Sequence, residues 1–323
     1  MATKVFIIIL NWNGKNDTIE CLNSLNSTLA SSPDYISRGE TWGKILVVDN
    51  ASTDNSLRLI VEKFPSVQII ENKTNLGFAG GMNIGIKEAI KDNSKYVLLL
   101  NQDIIVNKNF LNKLVDLAES DSKIGIVGPK IYYFNSLKKI WAIGIRFVAG
   151  IIREAKVPYC GTELIGCNEM DNEQYDDLKE VESIPGCCML IRTEVIRKIG
   201  LMDESFFLIH EDDDYCLSAR EAGYKVCVSP ESVIWHKIST SFRLLTEKIN
   251  EYSESNTDLI YYWHRNWLWV LRKHFEKKVF FKVFGTYIFR LFPIRVYELL
   301  RDRKLKSNII YAYMRAFRDG LLS

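Results

Sequence analysis

Lys95-Tyr96-Val97-Leu98-Leu99-Leu100-Asn101-Gln102-Asp103 is the stretch whose reading sets the fold. Its five successive apolar residues show no alternation. That suits a strand covered on both faces, as in a parallel α/β sheet. The run ends in a polar turn and a carboxylate. Open α/β sheets bind ligands beyond the carboxyl ends of their strands, so Asp103 falls where a ligand belongs. A carboxylate there can hold a hard divalent cation, and the cation can hold a diphosphate. Taken alone, it reads more simply as an Asx-turn that starts the next helix; the neighbouring residues favour the ligand.

Outward from this stretch the chain alternates strand and helix. Residues 5–10, 45–48 and 67–70 read as further buried strands. Helices are expected from Asp17, with Ile19, Leu22 and Leu25 on one face, and around Leu57, Ile60, Val61 and Phe64, ended by Pro65. A glycine-rich loop enters the helix before the central strand, and another helix is centred on Phe110, Leu114 and Leu117. This order predicts an α/β fold with a mostly parallel, doubly wound sheet flanked by helices. Residues 31–43 read as loop and 124–127 as a strand. Residues 131–182 have few periodic signals and read as loops and short strands over the site. Strands at 188–191, 224–228 and 233–235 follow, with helices at 193–199 and from 211 to the stop at Gly223. From about Phe242 the chain turns helical, aromatic and basic.

The 323 residues are 47% hydrophobic and 25% charged, a globular balance. The net charge is +2, but residues 264–323 carry fourteen Lys and Arg against four Asp and Glu, leaving −8 for the remainder. A basic, aromatic tail on an acidic body suggests an anionic surface near the tail. Nothing points to nucleic acid. The apolar run at 5–10 is too short for a secretory signal, and no run of 18 apolar residues predicts a membrane span. Seven cysteines without scaffold spacing fit a cytoplasmic protein with buried thiols.

Polar residues stand at several expected strand ends: Asn11 and Asn13, Asp49, Asp103, and His236. Asp49 can accept a hydrogen bond from a nucleobase N–H or a ribose hydroxyl. Gly77, Gly80, Gly81 and Gly85 permit close backbone approach. They can cradle phosphates or let a helix pack tightly on the sheet. They do not form the dinucleotide fingerprint or a P-loop. Glu211-Asp212-Asp213-Asp214 gathers four carboxylates at a helix start. One or two suit the helix dipole. Mutual repulsion among four should raise at least one pKa, as a general base requires.

Five strings then carry a family resemblance: Asn11-Trp12-Asn13-Gly14, Val48-Asp49-Asn50-Ala51-Ser52-Thr53-Asp54-Asn55-Ser56, Asn75-Leu76-Gly77-Phe78-Ala79-Gly80-Gly81-Met82-Asn83-Ile84-Gly85, Leu100-Asn101-Gln102-Asp103 and Phe207-Leu208-Ile209-His210-Glu211-Asp212-Asp213-Asp214. In order, they resemble glycosyltransferase family 2, most closely its bacterial rhamnosyltransferase-like branch. The resemblance implies a GT-A (Rossmann-like) fold over residues 1–242. A nucleotide-sugar half at about 1–130 would precede an acceptor-side half at 131–242, with a helical extension at 243–323. It implies inverting sugar transfer from a nucleotide-sugar donor. The donor-binding candidates are Asn11, Asn13, Asp49, Asn75, Gly77, Gly80, Asn83 and Asn101. Asp103 matches the last Asp of the family's Asp-x-Asp metal motif, with Asn101 in place of the first. His236 matches an additional ligand for Mn²⁺ or Mg²⁺. Asp212, with Glu211, matches the Glu-Asp catalytic base. Gly186 and Cys187 resemble the segment lining the acceptor side. The leading donor is dTDP-rhamnose, with a UDP-hexose second. The rival readings are a non-catalytic nucleotide-sugar-binding module and a dinucleotide-dependent oxidoreductase.

In the tail, Tyr261-Tyr262-Trp263-His264-Arg265-Asn266-Trp267 suits an amphipathic helix packed on the catalytic domain. Arg265 could also meet a diphosphate on a lipid-linked acceptor. Residues 279–284 and 289–293 mix large apolar and cationic side chains. They could lie on the inner face of an anionic plasma membrane, form a homodimer face, or pack within the extension.

Overall fold

The computed structural model describes residues 4–30, 43–136, 138–152, 157–238, 257–286, 288–289, 292–293, 296–297 and 307–322. The loop expected at 31–43, apart from Gly43, and the expected onset of helix at 242 lie outside these residues. The 289–293 stretch lies partly outside them.

The central stretch forms β4 (Tyr96–Asn101), preceded by β1 (Val5–Asn11), β2 (Gly43–Asp49) and β3 (Gln68–Glu71). Helices α1 (Lys15–Ala30), α2 (Ser56–Lys63) and α3 (Gly77–Lys91) connect them. β1 pairs in parallel with both β2 and β4, and β2 with β3. Tyr96, Val97, Leu98, Leu99 and Leu100 are all fully buried, as an unbroken apolar run in a two-sided sheet requires. Register sets Asn11 beside Asp49 and Leu10 beside Asn101. The polar ends of three strands therefore share one sheet edge.

β5 (Ile104–Val106), α4 (Phe110–Ser120), β6 (Ile124–Tyr133), β7 (Ile140–Ala142), β8 (Ile145–Ile152) and β9 (Val157–Leu164) follow. Then come β10 (Cys188–Arg192), α5 (Thr193–Ile199), α6 (Glu211–Glu221) and β11 (Lys225–His236). The main sheet runs β3-β2-β1-β4-β10-β6-β11-β5, with β7 on β6. β10 is antiparallel to both β4 and β6, and β11 is parallel to β6 but antiparallel to β5. The sheet is thus mixed, where the sequence suggested mostly parallel. An apolar run such as Cys188–Arg192 is compatible with either direction; the connection sets it. The strands expected at 224–228 and 233–235 are one strand. Its register shifts between Ser229 and Val233, where Pro230 has no N–H for the ladder. β8 and β9 form a separate two-stranded sheet inside the stretch expected to hold loops and short strands.

Contacts divide the chain into two units. One comprises residues through Arg146 with Leu164–Phe207 and Glu211–Lys237. The other comprises Phe147–Glu163, Leu208–His210 and the chain from Ile238. It takes in segments from within residues 1–242. In it, α7 (Thr257–His274) packs against α9 (Ser307–Leu322), and α8 (Lys277–Thr286) also lies against α7. Among the described residues no helix is long and apolar enough to cross a membrane.

Candidate active site

Asp49 ends β2 fully buried. Its Oδ1 accepts from Asn11 Nδ2, and its Oδ2 accepts from the Ser52 N–H at 3.0 Å. Asn11 is equally buried. Its amide also reaches Ser52 and Ser56 while its oxygen accepts from Thr18. Asn11 therefore orients Asp49. Asn13, in the left-handed region at φ 49°, accepts from the Thr53 N–H at 2.7 Å and ties the loop after β1 to the loop after β2.

The glycine-rich loop is held by Asn50, a residue to which its sequence motif assigned no role. Asn50 Nδ2 donates to Asn75 Oδ1 at 2.8 Å and to the Gly77 carbonyl at 3.0 Å. Its Oδ1 accepts from Leu76 N–H and Asn72 Nδ2. Asn75 in turn takes the Gly77 N–H at 2.8 Å. These glycines serve packing. A Cβ on Gly81 would meet Leu10, one on Gly85 would meet Ile8, and one on Gly80 would meet Leu76. Gly77, at φ 74°, lies against the Phe207 carbonyl, which accepts the Phe78 N–H. Gly77 thus offers no free N–H to a phosphate. Asn83 is buried; it donates to Met202 O and accepts from Met202 N–H, bracing the loop after α5.

Asp103 and His236 come together. His236 Nε2 lies 3.3 Å from Asp103 Oδ2, and the two side chains are 4% and 2% exposed. β11 pairs His236 with Ile104, and the Lys237 N–H bonds the Asp103 carbonyl. The Trp141 ring meets the imidazole edge-on at 4.7 Å. His236 Nδ1 is buried without a hydrogen-bond partner among the described residues. One carboxylate and one imidazole form a donor set that fits Mn²⁺ or Mg²⁺. No group of three His, Cys, Asp or Glu suited to a metal occurs among the described residues. A cation here would thus take its other ligands from elsewhere.

Asp212 is half-buried in the first turn of α6. Its Oδ2 accepts the Gly186 N–H at 2.7 Å, and its Oδ1 accepts the Asp213 N–H at 2.9 Å. An added Cβ on Gly186 would lie 3.2 Å from Asp212 Cβ. Gly186 thus aims the carboxylate. Next to it, Cys187 is buried. Burial first, then the charges of Cys188, Asp103 and Asp212, push its thiol well up. Its carbonyl accepts the Asn101 N–H at 2.9 Å. Glu211 is the carboxyl whose pKa is raised well above the usual range, chiefly by burial and then by the charge of Asp212. Desolvation, more than the repulsion inferred from sequence, sets that shift.

Arg265, expected on the acceptor side, is buried in the second unit. Its guanidinium stacks 4.0 Å from the Trp269 ring centre and also faces Tyr261 and Tyr262. Its Nε donates to Asn266 Oδ1 at 2.8 Å.

A parallel nucleotide-side half continued by a mixed half is the GT-A arrangement of glycosyltransferases. The chain is similar in fold to S. aureus TarS 1-349 in complex with UDP-GlcNAc, at TM-score 0.56 and 17% identity, covering 98% of this chain and 81% of that one. It is also similar to GalNAc-T7 with UDP, GalNAc and Mn²⁺, at TM-score 0.54 and 15% identity, covering 80% and 48%. The model of Glycosyl transferase family 2 matches residues 6–200; the chain belongs to that family. It is 25% identical over 300 residues to the low-salt glycan biosynthesis hexosyltransferase Agl10 of Haloferax volcanii, covering 86% of this chain and 87% of that protein. It is 23% identical over 213 residues to the N-acetylglucosaminyl-diphospho-decaprenol L-rhamnosyltransferase of Mycobacterium tuberculosis, covering 62% and 68%.

Proposed function

We propose that this glycosyltransferase moves rhamnose from dTDP-rhamnose, with inversion, to a hydroxyl of a saccharide or lipid-linked acceptor in surface polysaccharide synthesis. The Gly186–Asp212 hydrogen bond carries this reading. It fixes the direction of a half-exposed carboxylate at the start of α6. Asp212 takes the acceptor hydroxyl proton as that oxygen bonds to the anomeric carbon. The bond from the anomeric carbon to the diphosphate oxygen breaks, and the nucleoside diphosphate leaves from the opposite face with the electron pair. A single displacement inverts the centre, so no glycosyl-enzyme forms. Asp49 receives the nucleoside, and Asn101 adds a donor contact. Asp103 and His236 would hold Mn²⁺ or Mg²⁺, and the imidazole favours Mn²⁺. When bound, the cation offsets the charge of the departing diphosphate. The rhamnosyltransferase relative supports both the sugar and a lipid-diphosphate acceptor. The hexosyltransferase relative, matched over more of the chain, supports a UDP-hexose as the second reading.

The test is nucleoside diphosphate release from dTDP-rhamnose, UDP-glucose and UDP-N-acetylglucosamine with Mn²⁺, water serving as acceptor. Release from dTDP-rhamnose, abolished by chelator, is expected. Release confined to a UDP-sugar would replace the donor. Nucleotide-induced melting shifts without any release would favour a binding module.

The acceptor class further suggests that the protein works peripherally on the cytoplasmic face of a membrane. The outward face of α8 carries Lys277, Lys278 and Lys282 around Phe281, which is 66% exposed. A basic face with a protruding aromatic suits anionic headgroups. Pelleting with phosphatidylglycerol vesicles but not phosphatidylcholine vesicles is expected, and Lys277→Glu/Lys278→Glu/Lys282→Glu should abolish it. Concentration-dependent dimers without pelleting would assign the face to a second copy.

A further inference from the structure

Two residues just before the helix of the candidate base are held in an unfavourable backbone. Ile209 and His210 both lie in the left-handed region, at φ 73° and 69°. For residues with a Cβ this region is sparsely populated, and for β-branched Ile it is a true outlier. Two such residues in succession persist only when their surroundings over-determine them. Here α7 supplies those surroundings from one face, since positions 263, 266 and 267 are neighbours on a helix. Asn266 is fully buried and donates to the carbonyls of Leu208 at 2.9 Å and Ile209 at 2.7 Å. The His210 ring sits 4.9 Å from the Trp263 ring and 5.4 Å from the Trp267 ring.

Arg265 fixes the amide that does this. Its Nε bonds Asn266 Oδ1, which forces the Asn266 NH₂ toward the two carbonyls. The guanidinium is itself held by aromatic faces and by Tyr261 Oη, which donates to Asp319 at 2.9 Å. All these groups belong to the second unit, together with Leu208–His210. The chain then passes directly into Glu211 and Asp212. On the other side, the Phe207 carbonyl is fixed by the Phe78 N–H.

We propose that Arg265 and Asn266 are positioning residues. They hold the strained Leu208–His210 turn so that the chain enters α6 with Asp212 aligned on the Gly186 N–H. The inference rests on the reading of Asp212 as base. The Arg-Asn pair then serves the acceptor chemistry through the backbone, without touching substrate.

The experiment compares full-length wild type, Asn266→Ala and Asn266→Ala/Ile209→Gly. The first readout is ligand-free amide exchange at Gly186, whose N–H donates to Asp212. Asn266→Ala should speed exchange there by about tenfold while amides of β4 stay protected. Glycine adopts positive φ freely, so Ile209→Gly should restore part of that protection. The second readout is nucleoside diphosphate release from dTDP-rhamnose. The expected result for Asn266→Ala is a kcat lower by about tenfold with donor KM unchanged. Should Asn266→Ala not fold, Asn266→Ser, which keeps a single donor, takes its place with the same expectations. Unchanged Gly186 exchange in the variant overturns the positioning role. A merely structural role would raise exchange in β4 as well, or raise donor KM together with lowering kcat, and that result also overturns it. Asp212→Asn, run alongside, separates the two readings. If it turns over donor like wild type, the base assignment fails, while the exchange result still decides what Asn266 does.

Discussion

Asp212→Asn is expected to lower sugar transfer by about 10²–10⁴-fold, the usual worth of a positioned general base. The substitution keeps the shape of the side chain. An amide oxygen can still accept the Gly186 N–H, now 2.7 Å from Asp212 Oδ2, while the bond from the Asp213 N–H to Oδ1 is given up. What disappears is a group able to take a proton from the attacking hydroxyl. Nucleoside diphosphate binding, followed as a melting shift with Mn²⁺, should persist, because Asp49, Asp103 and His236 are untouched. The informative contrast is Glu211→Gln. Burial already pushes the Glu211 carboxyl toward its neutral form, and Gln is close in shape to a protonated Glu. The effect on kcat should therefore be far smaller than that of Asp212→Asn. Stability adds a second sign. A carboxyl whose folded-state pKa is raised binds its proton more tightly in the folded state. It favours folding below its unfolded pKa and penalises folding as pH rises above it. Glu211→Gln should therefore gain stability, relative to wild type, at neutral and higher pH. Equal losses of kcat in the two variants would mean that the carboxylates act as a pair, and Asp212 would no longer stand alone as base.

Much of this site is legible in the amino-acid sequence. Asp103 can be placed because an unbroken apolar run fixes a buried strand, and a buried strand fixes where its polar end emerges. Four carboxylates at one helix start exceed what capping uses, but only the resemblance of Glu211-Asp212 to the family's Glu-Asp pair singles out Asp212. Three kinds of feature are not legible there, each for a physical reason. The direction of β10 is hidden because a symmetric apolar run carries no polarity. The partners of Asn11, Asn50 and Asn83 are hidden because a side-chain amide reads the same whether it faces a ligand or a neighbouring loop. The role of the glycines at 77–85 is hidden because a phosphate cradle and a tight helix–sheet contact require the same missing Cβ. What the structure adds is the packing side: an added Cβ would meet Leu10, Ile8 or Leu76.

Gly77→Ala is expected to cost about 2–5 kcal/mol of folding stability, because strain and overpacking act together. The residue stands at φ 74°, where an L side chain is disfavoured, and a Cβ there would lie 2.3 Å from the Phe207 carbonyl oxygen. A backbone atom cannot rotate away as the end of a flexible side chain could. Relief requires moving residue 207, and with it the Phe78–Phe207 hydrogen bond at 2.8 Å. The control is Gly223→Ala. Gly223 has φ 90° and nothing within 4 Å of an added Cβ, so that variant reports backbone strain alone. It should cost about 1 kcal/mol, the lower end of what such a conformation carries. The melting temperature of Gly77→Ala should consequently fall by about 5–10 °C, several degrees more than that of Gly223→Ala. A functional difference is expected as well. Residue 207 precedes the strained turn that enters the helix of Asp212, so displacement there should lower turnover in Gly77→Ala even at temperatures where the variant is fully folded. Gly223→Ala, at the far end of that helix, should leave turnover intact. Matching melting temperatures in the two variants would show that residue 207 yields freely, and the glycine would then be needed for its φ alone.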